Sequence, residues 1–115
     1  MLRITPQQFD AVSAQRELSF FEDLRAELRA FMAREMQDME GERVERRISS
    51  AFEACRAHGF TTEKQITELS FILVTFPSDY AQKPGYAWLD GLLRANAAPR
   101  VRLEHIKSVI RAGAA

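Results

Sequence analysis

The sequence has few of the residues that give a small protein covalent cross-links or reactive groups. Its 115 residues include a single cysteine, Cys55, and two histidines, His58 and His105. A lone cysteine excludes an internal disulfide and is typical of a reducing compartment. The sequence has no Cys-x-x-Cys, histidine pair with metal-ligand spacing, glycine-rich phosphate loop or nucleophile elbow. We therefore expect no metal, no cofactor and no catalytic residue, and predict that the protein is not an enzyme.

The chain also lacks an excess of either charge and any long apolar run. Its 16 basic and 16 acidic side chains balance, so no overall field draws it to nucleic acid or anionic lipid. The longest apolar run covers residues 71–74, against the roughly 20 residues of a membrane span. Residues 1–6 contain no apolar segment of a signal peptide. These features predict a cytoplasmic, soluble, single domain over residues 1–115, with no nucleic-acid or membrane partner.

The clearest positive signal is the junction between the second and third predicted helices. Gly59 follows a helical pattern and supplies the left-handed residue that ends a helix, so Phe60 can pack back on the last turn. Thr62 and Gln65 have the spacing of a capping box that opens the next helix. His58 falls in the last turn before the glycine, where its side chain suits the helix carbonyls.

The first helix is predicted to be unusually long. Its start is marked by an N-cap, a first-turn proline, a capping-box partner and a hydrophobic staple, formed by Thr5, Pro6, Gln8 and the pair Ile4 and Phe9. Helix-forming residues then continue to Glu40, although polar residues interrupt the apolar stripe between Val12 and Phe20. A helix of about 30 residues is roughly 45 Å long, whereas a compact domain of this size is roughly 35 Å across. The helix therefore either breaks near residues 13–17 or projects beyond the rest, and we favour the projecting helix.

Four further helices follow from apolar stripes and helix-ending residues. They begin after Gly41, extend from Glu63 to Phe76 and from Tyr86 to Ala95, and run from Pro99 to just before Gly113. The side chains expected to be buried are Val44, Ile48, Ala51, Phe52 and Cys55 in the second helix, Ile66, Leu69, Ile72, Leu73 and Phe76 in the third, Trp88, Leu89, Leu92 and Leu93 in the fourth, and Leu103, Ile106 and Ile110 in the fifth. We expect Phe71 and Val74 to project from the other side of the third helix, which is typical of a central helix. The predicted fold class is all-α, a compact bundle of about five helices with a long first helix and a central, buried third helix.

Several aromatic residues lie where the core does not obviously need them. Phe20 and Phe21 are adjacent, so they cannot both face the same core centre, and Tyr80 falls in a loop before Tyr86 and Trp88. One interpretation is that all five complete the core. The other is a protein-binding surface, where aromatic residues with polar groups are enriched. For this second interpretation we predict partner contacts from Phe21, Tyr80, Tyr86 and Trp88, with Arg25 and Arg29 as the polar rim.

The sequence also resembles a known family along most of its length. The segments RAHGFTTEK at residues 56–64, FIL at 71–73, FPSDY at 76–80 and YAWL at 86–89, with LRITPQQ at 2–8, are similar to a family of small bacterial helical proteins. That family is associated with type VI secretion gene clusters, near spike proteins and effectors. The resemblance implies an accessory role as an effector chaperone, adaptor or co-chaperone, and it brings no active-site residues. The chain departs from it in residues 76–80, where relatives often carry a glycine that is missing here.

Three functions compete at this point. The leading hypothesis is a non-enzymatic interaction module that binds a secretion effector or its loading machinery. The alternative is an immunity protein that neutralises a cognate toxin, and a third is a small enzyme whose carboxylates converge in a pocket. An overhanging first helix could also pair with another copy of the chain, so a homo-oligomer stays open.

Overall fold

The computed structural model describes the backbone of residues 6–113 and the side chains of residues 15–113. Within these ranges the chain is all-helical and contains no strand. The five α-helices are α1 (Pro6–Glu35), α2 (Gly41–Ala57), α3 (Glu63–Leu73), α4 (Ala87–Arg94) and α5 (Pro99–Arg111). Two short 3₁₀ helices, Tyr80–Gln82 and Pro84–Tyr86, occupy the predicted loop between α3 and α4. The predicted all-α fold with about five helices is confirmed.

The first helix is continuous over 30 residues, so the alternative in which it breaks near residues 13–17 is wrong. The side chains of residues 15–19 are all exposed, whereas Leu24, Leu28 and Met32 further along are buried. The molecule accordingly measures 54 × 35 × 23 Å, longer than a sphere of this mass. The helix ends before the predicted Glu40 because the chain turns there and packs Met36 and Met39 against the core. The predicted cap and staple residues Thr5, Gln8, Ile4 and Phe9 lie outside the described side chains.

The predicted junction between α2 and α3 is confirmed in detail. Gly59 has a φ of +80°, a left-handed backbone conformation that glycine adopts with little strain because it has no Cβ atom. The Phe60 amide donates to the Cys55 carbonyl at 2.9 Å and the Gly59 amide to the Arg56 carbonyl at 3.4 Å, the two bonds of a Schellman ending. Phe60 is only 2% exposed. At the start of α3 the Thr62 hydroxyl accepts a hydrogen bond from the Gln65 amide at 3.2 Å.

Helix α3 is the central element, since it contacts α1, α2 and α5. Its end differs from the prediction. It stops at Leu73 instead of Phe76 because Phe76 precedes Pro77, which disfavours helical geometry. The chain tightens into i→i−3 hydrogen bonds there, and this turn carries Val74 into the core although we expected it to project. Ile72, expected to be buried, is partly exposed.

The core is formed by one face of each helix. Its most deeply buried side chains, each at most 1% exposed, are Leu28, Met32, Ile48, Ala51, Cys55, Leu69, Val74, Leu89, Leu93 and Ile106. Val44, Phe52, Leu92 and Ile110, which we expected to be buried, pack against this core but remain partly exposed. Among the described residues α1 contacts α2 and α3, and its exposed residues Arg16 and Glu17 border the surface described next.

Candidate functional site

An open groove lies between the N-terminal half of α1, the C-terminal half of α2 and the start of α3. We call it the α1–α2 groove, and its volume is about 610 Å³. Its apolar lining consists of Phe20, Phe21, Phe52, Cys55, Phe60 and Ile66. Its exposed rim consists of Arg16, Glu17, Arg56, Thr61 and Glu63. The groove therefore combines an aromatic lining with a rim that carries both signs of charge.

Three partly exposed phenylalanines give the groove its character. Phe21 lies edge-on to Phe20 and to Phe52, with ring centroids 5.2 Å and 5.0 Å apart. Successive residues of a helix point about 100° apart, so Phe20 and Phe21 share this side of α1 without both reaching the core. Leu18 precedes Phe21 by one turn and is 66% exposed. Leu18 is thus an exposed apolar side chain of α1 that does not line the groove.

The predicted polar rim of Arg25 and Arg29 lies next to Phe21, but both side chains are held by α2. Arg25 Nη1 contacts Glu45 Oε2 at 2.9 Å, and Arg29 Nε donates to the other oxygen of the same carboxylate. The Arg25 guanidinium also lies over the Phe52 ring at 5.3 Å. The hydrogen bond from Arg29, reinforced by the one from Arg25, lowers the pKa of Glu45. These two arginines fasten α1 to α2 beside the groove.

The other predicted contact residues form a separate group near α4. Tyr86 and Trp88 are partly exposed and pack edge-on against Phe76, with centroids 5.4 Å and 5.9 Å apart. Tyr80 is only 7% exposed, so its prediction as a surface contact is corrected. The 3₁₀ helix that begins at Tyr80 packs against α4 and turns the ring inward, which a loop-like sequence does not reveal. Within residues 15–113 no aromatic pair joins this group to Phe21.

Trp88, which we expected to be buried, is partly exposed. Its indole Nε1 is nevertheless shielded from solvent and has no hydrogen-bond acceptor among the described residues. The ring faces Phe76 at an interplanar angle of 73°. Its packing contribution is accordingly smaller than that of a fully enclosed tryptophan.

A buried arginine was missed by the sequence reasoning. Arg102 on α5 is 7% exposed and donates to three backbone carbonyls, of Ala97 at 2.9 Å, Leu93 at 2.6 Å and His58 at 2.7 Å. Its guanidinium also lies over the Phe60 ring at 4.8 Å. The available signal was its spacing of four residues before Ile106, which places it on the apolar face of α5. Arg102 ties together the ends of α2 and α4, so its role is structural.

A second feature that sequence reasoning missed is a basic pocket. We call it the arginine pocket; it has a volume of about 380 Å³ and is lined by Arg43, Arg46, Arg47, Pro77, Ser78 and Asp79. The three arginines lie at i, i+3 and i+4, a spacing that puts them on one side of a helix. The overall charge balance of the chain concealed this local excess.

The side chains with the greatest potential reactivity are the Cys55 thiol and the two histidines. Burial raises the pKa of the Cys55 thiol to about 11, so the thiol is protonated near neutral pH. Cys55 is buried, as predicted. Burial, with Arg94 nearby, lowers the pKa of His58, and His105 is exposed. Among the described side chains no three His, Cys, Asp or Glu residues are grouped to hold a metal ion. None of the described helices has both the length and the hydropathy to cross a membrane.

The fold and the groove together define an all-α protein with a partly exposed aromatic groove on one side. No protein-family model, curated protein or solved structure matches the chain.

Proposed function

We propose that this protein is a non-catalytic interaction module that binds an amphipathic helix of a partner protein in the α1–α2 groove. The observation that carries the proposal is the aromatic lining, where Phe20, Phe21 and Phe52 stay partly exposed in a groove of about 610 Å³. Aromatic side chains that fill such sites dominate the binding energy of many protein interfaces. An amphipathic helix laid into an apolar groove is a recurring mode of recognition.

The rim supports a helical occupant with charges beside its apolar face. Arg16 and Arg56 provide positive charge, and Glu17 and Glu63 provide negative charge. Arg16 and Glu63 lie 3.8 Å apart, with side chains that are 79% and 51% exposed. Such an exposed ion pair contributes little to stability, so a partner can replace it at low cost.

The resemblance to proteins of type VI secretion gene clusters leads us to propose a secretion effector as the partner. In this proposal the protein is a cytoplasmic accessory that acts as a chaperone or adaptor and shields an apolar helix of the effector before export. Shielding such a helix is useful because exposed apolar segments aggregate. The support is the family resemblance together with the aromatic groove.

The direct test is co-expression with effector candidates encoded by neighbouring genes, followed by a measurement of affinity for the purified complex. We expect Phe21→Ala to weaken binding at least tenfold, because hot-spot aromatics contribute about 2 kcal/mol or more. Phe71→Ala is the matched control, since Phe71 is also partly exposed and packs edge-on to Phe31 at 5.3 Å, outside the groove. Equal losses from both variants, or no complex with any candidate, would contradict the proposal.

Deletion of the gene distinguishes the accessory role from the immunity alternative. Loss of a chaperone or adaptor lowers the abundance or export of the effector and leaves the cell resistant to its siblings. Loss of an immunity protein makes the cell sensitive to a sibling's toxin. The second phenotype would replace the accessory role with the immunity role, while the groove would remain the expected binding surface.

A further inference from the structure

The arginine pocket lies apart from the α1–α2 groove and is not used by the proposed function. We propose that it binds a phosphate-type oxyanion, either free phosphate or a phosphate ester, between the first two turns of α2 and the turn at residues 77–79. The charges, their partners and the position of the arginines each support this assignment.

The pocket is built by two elements that are fixed to each other. Ser50 Oγ donates to the Ser78 carbonyl at 3.3 Å, and Arg47 Nη1 donates to the Val74 carbonyl at 3.2 Å. These bonds hold the turn after α3 against α2. The Arg47 guanidinium is thereby oriented while its other N–H groups stay available, and guanidinium groups match phosphate oxygens in a two-point geometry.

Charge balance favours a dianion over a single carboxylate. Arg46 already contacts Glu42 at 2.8 Å, and Asp79 lies 3.8 Å from Lys83. Among the described ion pairs, Arg43 and Arg47 have no carboxylate partner. A phosphate monoester carries about −1.5 to −2 charges near neutral pH and neutralises both. One carboxylate would neutralise only one of them.

Arg43 lies where the fold gains little from it. Arg43 is in the first turn of α2, which begins at Gly41, and the N-terminal end of a helix dipole disfavours cations. Burial and, after it, the nearby charge of Arg43 lower the pKa of Arg47, while Tyr86 and Asp79 oppose the shift. An arrangement that opposes folding is typical of a site kept for binding.

Calorimetric titration of the full chain at constant ionic strength tests the site, with chloride, succinate, inorganic phosphate and phosphoserine as separate ligands. We expect saturable binding of phosphate or phosphoserine; tighter binding of phosphoserine would assign the ester, and tighter binding of phosphate the free ion. Arg43→Gln should weaken binding roughly tenfold, as for a hydrogen bond to a charged group. Asp79→Asn should strengthen it, because the Asp79 carboxylate repels an anion in this pocket.

Arg34→Gln serves as the matched control, since Arg34 is an exposed arginine outside the pocket and should leave phosphate affinity unchanged. Arg47→Lys keeps the charge but loses the planar donor geometry, so we expect it to bind phosphate more weakly. Its melting temperature is measured as well, to verify that the variant is folded. Absence of saturation, equal effects of Arg43→Gln and Arg34→Gln, or tighter binding of succinate than of both phosphate ligands would overturn the proposal.

Discussion

The α1–α2 groove and the region around Arg102 are built from the same kinds of side chain, phenylalanine and arginine, but they differ in how far those side chains are exposed to solvent. In both regions phenylalanine rings pack edge to face or under a guanidinium. Around Arg102 the chain itself encloses the ring and the donors: Phe60, which also borders the groove, is 2% exposed, and three carbonyls accept from one arginine. At the groove Phe21 and Phe52 remain partly exposed. The comparison suggests that enclosure, more than residue type, separates structural from binding roles.

The largest effect is expected from Arg102→Ala. This change leaves the carbonyls of His58, Leu93 and Ala97 without their donor and removes the contact with Phe60. We expect a loss of about 3–5 kcal/mol in the free energy of unfolding, as for other broken buried polar networks. Chemical denaturation measures it. Arg100→Ala, at an exposed position of the same helix, should stay within about 0.5 kcal/mol, and a similarly small loss at Arg102 would refute its structural role.

The next largest effect is expected from Tyr80→Ala. Because the ring is 7% exposed and belongs to the core, its removal should cost about 3 kcal/mol. Tyr80→Phe keeps the ring and should cost less than about 1.5 kcal/mol. Thermal unfolding of the two variants gives the comparison. If Tyr80→Ala left the melting temperature unchanged, Tyr80 would belong to the surface after all.

A smaller effect on stability is expected in the groove. Phe21→Ala should cost about 1 kcal/mol, because the ring is partly exposed but packs on Phe52. Leu18→Gln, at a position that is 66% exposed, should change stability by less than about 0.5 kcal/mol. Under the proposed function Phe21→Ala also weakens partner binding. A stability loss from Phe21→Ala as large as that from Tyr80→Ala would mean that the groove is part of the core.

The smallest effect is a pH dependence that arises near Arg102. Burial and the charge of Arg94 lower the pKa of His58 below its ordinary 6.5, and Arg102 adds to the shift while Asp90 opposes it. The unfolded chain therefore binds a proton more readily, so this contribution to stability is present above about pH 6.5 and is lost as the pH falls through the lower folded value. Between about pH 7 and pH 5.5 we expect the free energy of unfolding to fall less steeply in His58→Gln than in the parent protein.

The matched control for this titration is His105→Gln, which changes an exposed histidine. It should keep the slope of the parent protein. Glu45, whose pKa is also lowered, loses its contribution only at more acidic pH, because its ordinary pKa is 4.5. An unchanged slope in His58→Gln would show that His58 does not control stability in this range.

The binding residues were less predictable than the helices. Phe21 is predicted as a partner contact because two adjacent phenylalanines cannot both face one core. In the structure Phe21 lines the α1–α2 groove, and its contact with a partner stays a prediction. Tyr80 was misplaced because a loop position carries no information on which way the backbone turns. Arg102 was missed because a cation is ordinarily assigned to solvent, and only its neighbours in space show that it is buried. The arginine pocket was missed because it forms only where α2 meets residues 77–79.

What the sequence determined by itself is local. Apolar periodicity, Gly59 and Thr62 specify the helices and one of their junctions, because these signals act within a few residues along the chain. What only the tertiary structure decided is which side chains are enclosed. The exposure of Phe52, the burial of Arg102 and the convergence of residues 43–47 with 77–79 depend on elements distant in sequence. Periodicity cannot encode such contacts, since it specifies a face of a helix but not the element that covers it.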